Sequence, residues 1–492
     1  MTDSGSSPDA KQPATKKKRP GLSWIAVLVA IPVILIGRLF LNGIVSNPLA
    51  NPCTFETRSY QDLGSSLYGP LMRMKFRASY PQDKVLVMPL TSGSDPGDVP
   101  ANAVENPCDG RRFMAGIVNR LDAYAPAVIA IDRFYDDDDR CPESTGANDA
   151  LRVALSSAQA YAQIPIPAVL VGLDSGKATE QQATTTGGNC LIDKKPLDLS
   201  AKAIPAARVR RPIHLGLVRM NEDVLRIPLR WWLTAGPAED RSAAGFALAG
   251  YALDSGPLTP DDLHNLDSGV PLSPYPIGLK RLLNTDAHPY AFFPRSLPKQ
   301  VSPIDLFCAD AQGQDFLRRF LLGIHEPQSP IPSTAGHPEQ AYCRSAKPFP
   351  NLGGKVVVIG VREEDVDTHP FPGGQQFGVD LQADYIEALL DNAYIKTAPG
   401  WLDWGLTVVL CILLLGREVM PEYITAKWWI TLAWDVGVIA AVMVLSIVAL
   451  FFGFFTPVFW LACSGVVLTD VFTRLFERIT HHVREKREVH AG

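Results

Sequence analysis

Short apolar runs alternate with helix-like segments through the middle of the chain, and this alternation predicts a parallel β-sheet with helical crossovers. Each run is bounded by polar residues, Gly or Pro, as is typical of a buried strand. The predicted strands are Lys84–Leu90, Ala127–Asp132, Ala168–Leu173, Pro212–Arg219 and Lys355–Val361. The fold class predicted for residues 42–399 is therefore an α/β domain with a mostly parallel sheet.

Amphipathic spacing predicts helices between these strands. Asp109 is the expected N-cap of a helix that continues to Tyr124, since Phe113, Ile117 and Leu121 fall on one helical face. Further helices are expected over Asn148–Tyr161, Ser242–Leu253 and Gly378–Tyr394. From 254 to 350 Pro, Ser and Gly recur, so long loops with short pieces of structure are expected there.

Longer apolar segments flank this domain and predict four transmembrane helices. A bilayer core of ~30 Å needs about 20 apolar residues, and the first segment has that length. The predicted spans are residues 22–41, 401–416, 428–450 and 458–474. A cleaved signal peptide is the alternative for the first segment, although no small-x-small cleavage site follows it.

Basic residues set the predicted topology. Four of them occupy positions 16–19, just before the first span, and others follow the last span, so the positive-inside rule places both termini in the cytoplasm. Residues 1–21 are then a disordered cytoplasmic tail, residues 42–399 an extracytoplasmic domain, and residues 475–492 a basic cytoplasmic tail beside the membrane lipid. The net charge of −5 gives no sign of a nucleic-acid partner.

Cysteine usage predicts disulfides in the extracytoplasmic segment, because that compartment is expected to be oxidising. Cys108 and Cys141 both follow the carboxyl ends of predicted strands, at one edge of the sheet, and form the preferred pair. The remaining pairs would be Cys308–Cys343 and Cys53–Cys190, among many possible connectivities. Zinc binding is a weaker alternative, since no two cysteines have the close spacing of a zinc site.

A ligand site is predicted at the carboxyl edge of the sheet, where open α/β sheets bind their ligands. Carboxylates there would suit a cation or a basic ligand. Its candidate residues are Asp132, Asp365, Asp367, Thr368 and His369. The alternative is that these side chains only hold their loop through hydrogen bonds to the backbone. The sequence has no nucleophile elbow, P-loop or dinucleotide fingerprint, and we expect no enzymatic activity, metal or cofactor.

Two predicted spans carry acidic residues. Asp435 and Asp470 lie at similar depth on neighbouring spans, and Arg474 follows Asp470 by one helical turn. An ionisable residue in a span suggests a signalling or ion-path role, and a structural polar contact is the alternative.

The residues of the extracytoplasmic segment resemble the type-two CHASE domains, sensory modules of bacterial membrane receptors. The similar positions are Arg112, Ala115 and Leu121, the strand Ala127–Asp132, His214 to Val218 with Asp223 to Arg226, Gly354 to Gly360, and Asp367, Thr368, Pro370, Gly378 and Ala383. One span before the module and three after it also match the family. Gln382 departs from the family, which often has His there.

The resemblance implies a bacterial inner-membrane protein whose periplasmic domain senses an unknown ligand or stimulus. Such modules usually control a cytoplasmic kinase or cyclase, but the 18 residues after Arg474 are too few for a catalytic domain. We therefore expect the output to pass to a separate signalling partner. A structural subunit of an envelope complex and an ion- or proton-conducting accessory are the alternatives.

Overall fold

The computed structural model describes residues 83–93, 97–135, 140–159, 165–173, 197–218, 227, 230–234, 240–244, 246–255, 290–291, 298–326, 329–362, 367–371, 374–391, 394–397, 401, 405, 409, 413, 428–451 and 454–455. The chain divides into two compact units. One comprises Asn47–Thr397 with Leu450–Phe455, and the other Met1–Ser46, Ala398–Ala449 and Thr456–Gly492.

Strands and helices alternate through the first unit. The strands are β1 (Val85–Leu90), β2 (Val128–Asp132), β3 (Ser157–Gln159), β4 (Ala168–Leu173), β5 (Arg208–Arg210), β6 (Ile213–Leu217), β7 (Arg230–Thr234), β8 (Asp240–Ala244), β9 (Tyr290–Ala291), β10 (Lys299–Gln300), β11 (Val356–Val361), β12 (Thr368–Phe371), β13 (Gly374–Phe377), β14 (Tyr394–Thr397) and β15 (Phe454–Phe455). The helices, including one that begins in the second unit, are α1 (Ala101–Glu105), α2 (Pro107–Leu121), α3 (Ala147–Ser156), α4 (Phe246–Ser255), α5 (Pro303–Cys308), α6 (Ala311–Leu321), α7 (Glu339–Cys343), α8 (Gly378–Leu390) and α9 (Trp428–Phe451).

Six strands form the central sheet in the order β10-β1-β11-β2-β4-β6, and all of their pairings are parallel. β11 comes last in the chain but lies between β1 and β2, so Val358 is beside both Val87 and Ala130. The predicted α/β domain with a mostly parallel sheet is confirmed. The described small sheets, such as the hairpin β12–β13, lie outside this order.

Each face of the sheet buries a separate apolar core, which is why the strands read as nearly continuous apolar runs. On one face, alternate residues of β1, β2, β4 and β11 pack against α4 and α8. On the other face, the intervening residues pack against α1, α2, α3, α5 and α6. The predicted apolar face of α2 is confirmed, because Phe113, Ile117 and Leu121 are all buried there.

Several predicted helix ends are wrong. The N-cap of α2 is Asn106, whose Oδ1 accepts hydrogen bonds from the backbone N–H groups of Cys108 and Asp109 at 2.9 and 3.1 Å. Pro107 lacks an N–H group and suits the first helical position, so the cap falls before it. Asp109 instead lies in the first turn.

Three other boundaries also differ. α3 ends at Ser156 and β3 follows directly, so the helix predicted to reach Tyr161 is shorter. β8 occupies the start of the helix predicted from Ser242. Helix α8 ends at Leu390, and Tyr394 begins β14. Helices α5, α6 and α7 also lie in the stretch predicted to be mostly loop.

Two predicted disulfides are confirmed. Cys108 and Cys141 are bonded with their Cα atoms 5.1 Å apart, which joins the start of α2 to the segment after β2. Cys308 and Cys343 are bonded with a Cα separation of 5.4 Å, which joins α5 to α7. The predicted pair Cys53–Cys190 lies outside the described residues.

The predicted spans fall mostly outside the part of the chain that the structure describes. Residues 22–41 and 458–474 are not described, and only positions 401, 405, 409 and 413 of the second span are. Within the described residues, no helix is both long and apolar enough to cross a membrane.

Candidate functional site

The site is at the carboxyl edge of the sheet, where β1 and β11 lie side by side. After β1 the chain passes to α1 and α2 on one face, whereas after β11 it passes to α8 on the opposite face. Neighbouring parallel strands whose connections leave on opposite faces open a crevice at their carboxyl ends, and α/β sheets bind ligands in such crevices.

A cavity of about 430 Å³ lies at the carboxyl ends of β10, β1 and β11. Thr91, Ser302 and Arg362 line it from the residues that follow these three strands, and Tyr342 and Lys347 line it from the chain at and after α7. Its volume is within the range of roughly 300–1,000 Å³ found for small-molecule sites. The cavity is therefore large enough for a ligand and lies where the topology predicts one.

Arg362 connects this cavity to α8. Its Nη2 donates to both carboxylate oxygens of Asp380 at 2.5 Å, and its guanidinium lies 5.1 Å from the ring centroid of Phe377, as in a cation–π contact. The Asp380 side chain is only 1% exposed, and burial raises its pKa above the usual range although Arg362 acts in the opposite direction. The Nε of Arg362 is buried and has no hydrogen-bond partner among the described residues.

Some of the predicted ligand residues cluster next to this ion pair. Asp367 Oδ1 lies 3.6 Å from His369 Nε2, and the backbone oxygen of Asp367 accepts a hydrogen bond from Gly378 N. A side chain at Gly378 would collide with the Asp367 carboxylate. Burial raises the pKa of Asp132 well above its usual range, and the charge of Asp367 raises it further. Asp132 and Asp367 therefore lie near each other at this edge of the sheet.

The described lining of the cavity contains none of these residues. Asp132, Asp367, Thr368 and His369 are absent from it, and Thr368 pairs with Phe377 in the β12–β13 hairpin. Asp365 lies outside the described residues, so the predicted ligand set stays a prediction. Over the described part of the chain, no three His, Cys, Asp or Glu side chains are grouped to hold a metal ion.

The predicted polar groups of the spans lie outside the described side chains. Asp470 and Arg474 lie outside the described residues. Asp435 falls within α9, but its side chain is not among those described. The signalling or ion-path role of these residues stays a prediction.

Helix α8 is buried on all sides, and its polar side chains are each bound to another part of the domain. Every residue from Gly378 to Leu389 is buried. Gln382 Nε2 donates to the Val218 carbonyl at 2.9 Å, and Asp384 Oδ2 accepts from Gln376 at 2.7 Å. Gly360 allows β11 to approach this helix closely, because a Cβ there would lie 2.7 Å from Val379. These contacts make α8 a firmly held element.

Glu387, near the end of α8, forms hydrogen bonds with the backbone at the start of β1. Its carboxylate accepts hydrogen bonds from the backbone N–H groups of Val85 at 2.6 Å and Lys84 at 3.3 Å. The side chain is almost fully buried, and this burial raises its pKa from 4.5 to about 7, with a further contribution from Asp391.

This shift predicts a pH-dependent stability. Between pH 4.5 and about 7 the folded state keeps the Glu387 proton, whereas the unfolded state has lost it. The free energy of unfolding should therefore fall as the pH rises through this window, by up to about 1.4 kcal/mol per pH unit. Glu387→Gln should flatten the profile in urea unfolding measured from pH 4 to 8. The exposed Glu326→Gln is the control, and identical profiles for wild type and Glu387→Gln would contradict the prediction.

A parallel sheet with helices on both faces and a cavity at the carboxyl ends of its strands defines a domain of the doubly wound α/β class. The CHASE2 domain family matches residues 54–417, most of the chain, and the protein belongs to that family. This match confirms the family resemblance. CHASE2 domains are extracytoplasmic sensory domains, so the match is consistent with a sensory role outside the cytoplasm. No curated protein and no solved structure matches the chain.

Arg362 and Asp380 are not among the site residues predicted from the sequence. Arg362 directly follows the last residue of β11, so its place at the carboxyl edge was available from the strand prediction. Asp380 lies in the first turn of α8, where an acidic residue also suits the helix dipole. Only the packing of α8 on β11 brings the two side chains together.

Proposed function

We propose that this protein is a sensory and signalling protein of a bacterial inner membrane. Its periplasmic CHASE2 domain detects a ligand or stimulus and passes it through the C-terminal spans to a separate protein partner. It has no enzymatic activity of its own. The proposal depends chiefly on Arg362, which lines the cavity and also binds Asp380 of α8.

The contacts of α8 suggest how the signal would leave the cavity. A ligand that attracts or displaces the guanidinium of Arg362 changes the contact that this side chain makes with Asp380. Because α8 is buried along its length, a local shift of this kind would move the helix as a unit. Seven residues after the end of α8, β14 ends at Thr397, and the next predicted span begins at 401. The short connection favours output through that span.

The proposed topology has four spans, residues 22–41, 401–416, 428–450 and 458–474, with both termini in the cytoplasm. The basic residues at 16–19 and in 475–492 support it, since cytoplasmic segments next to spans are enriched in Lys and Arg. The tail at 475–492 would contact anionic lipid and present a surface to the partner.

Reporter fusions test this arrangement. Alkaline phosphatase, which is active only outside the cytoplasm, would be fused after positions 399, 425, 455 and 490 of the chain. We expect activity at 399 and 455 and none at 425 and 490, and a fluorescent protein that matures only in the cytoplasm should give the opposite pattern. Activity at 425, or its loss at 399, would overturn the topology.

A second experiment tests the output. A photo-crosslinking amino acid placed in the 475–492 tail of the full-length protein should capture one specific partner in cells. The same amino acid at exposed Lys299, on the edge strand β10, is the control and should not capture it. If both positions capture the same set of proteins, or if the tail captures only lipid, a separate protein partner is excluded for this tail.

A further inference from the structure

The cavity at β10, β1 and β11 is lined by charged side chains of both signs. Arg362 and Lys347 are its cations, and Asp98 and Asp305 are its carboxylates. Val301 and Ile304 add apolar surface to the same lining. A purely anionic ligand would be repelled by the two aspartates, and a purely cationic one by Arg362 and Lys347.

Arg362 provides the anion-binding part of the cavity. Its Nη2 is held by Asp380, so the guanidinium has a fixed orientation. Arg362 is one of the residues that line the cavity, so a ligand carboxylate there would lie beside its guanidinium. Lys347 is exposed, and it adds a second positive charge to the lining.

Asp305 provides a carboxylate of fixed position. Its Oδ1 accepts a hydrogen bond from the backbone N–H of Lys347 at 2.7 Å, which fixes Asp305 and the lysine backbone relative to each other. The second oxygen can accept a hydrogen bond from a donor in the cavity. Asp98, in the loop after β1, is half-buried and adds negative charge.

We propose that this cavity binds a small zwitterion, a molecule with one carboxylate and one protonated amine, such as a free amino acid or a short peptide. The carboxylate contacts Arg362 and Lys347, and the amine contacts Asp98 and Asp305. The apolar lining contacts the ligand's side chain. This assignment depends on the sensory function proposed above and names its ligand class.

Thermal unfolding of the full-length protein in detergent micelles tests the ligand class. The probes are the proteinogenic amino acids and alanyl-alanine, with propionate and ethylamine as analogues of alanine that each lack one charge. At least one zwitterion should raise the Tm in a saturable manner. The corresponding single-charge analogue should need about 10-fold or more higher concentration, because one charged hydrogen bond is lost.

Three variants locate the binding. Lys347→Gln and Asp305→Asn should each weaken binding of the active zwitterion about 10-fold, measured by calorimetry, and Ala346→Phe should abolish it by filling the cavity. Arg319→Gln, on helix α6 outside the cavity, is the control and should leave binding unchanged. These variants remove no buried ion pair, so they are expected to fold.

The proposal is overturned if no zwitterion shifts the Tm. Equal binding of propionate and alanine, or undiminished binding to all three variants, would also overturn it. The reporter fusions and the tail crosslinking do not depend on the ligand. If the protein is a sensor of a different class of ligand, the fusions and the crosslinking will give the expected results while the zwitterion binding tests fail.

Discussion

Arg362→Ala should lower the free energy of unfolding by about 3–5 kcal/mol, because it leaves a buried carboxylate without its counter-ion. The Asp380 side chain is 1% exposed and Arg362 is its partner through both oxygens. Burial raises the pKa of Asp380, and the nearby negative charge of Asp367 raises it further. Without Arg362, nothing among the causes of this shift would offset the repulsion between the two carboxylates. Urea unfolding of the full-length protein in detergent measures the loss.

A surface pair provides the control for this substitution. Arg319 and Asp315 form an i,i+4 ion pair in which the Asp side chain is 52% exposed, so Arg319→Ala should cost less than about 1 kcal/mol. The double substitution Arg362→Met, Asp380→Leu should recover most of the stability lost in Arg362→Ala, since it removes both buried charges. Equal losses for Arg362→Ala and Arg319→Ala would contradict the importance of the buried pair.

Removal of the Cys108–Cys141 disulfide should destabilise the domain by about 4 kcal/mol on the chain-entropy model, which depends on the length of the closed loop. The two cysteines are 33 residues apart, and the bond connects the start of α2 to the chain after β2. Cys108→Ala, Cys141→Ala should therefore lower the Tm by several degrees. The Cys308–Cys343 bond closes a loop of similar length, with a separation of 35 residues, and should contribute about as much.

Reductant separates this effect from simple repacking around the cysteines. Dithiothreitol should lower the Tm of the wild type by more than that of the double variant, which retains one described disulfide. Cys411→Ala, at a cysteine in a predicted span, is the control and should leave the melting curve unchanged. A double variant as stable as the wild type would show that this cross-link adds nothing.

The strands were predictable from sequence because burial on both faces leaves a simple signal. β4 begins and ends at the predicted residues, and β11 differs from its prediction by one residue. Apolar runs do not indicate the order of the strands in the sheet. The position of β11 between β1 and β2 could therefore not be predicted from them. That order depends on the helices that cover each face.

Helix α6 shows why a helical pattern can be missed. Its buried positions Gly313, Leu317 and Phe320 follow helical spacing. The Pro-, Ser- and Gly-rich sequence around it weakened the signal. Similarly, the sequence predicts a helix over Ser242–Ala244, but these residues belong to strand β8. A few small residues do not distinguish a helix from a strand.

The edge of the sheet that carries the candidate site was predictable from sequence, whereas the residues that line the cavity were not. Asp132 ends a parallel strand, so its position at the carboxyl edge followed from the strand prediction alone. Arg362 and Asp380 are 18 residues apart, and their contact depends on how α8 packs on the sheet. Contacts of this kind come from tertiary packing, which local periodicity does not encode.

The position of β11 also determines when the domain can be completed. In the sheet, β11 lies between β1 and β2 and pairs with both of them. It is also the last of the six strands to be synthesised. A growing chain therefore has to keep both strands unpaired on their facing edges until nearly the whole domain has emerged. Long-range pairing of this kind folds slowly and exposes strand edges to aggregation. We therefore expect chaperones that shield those strand edges to raise the yield of folded domain.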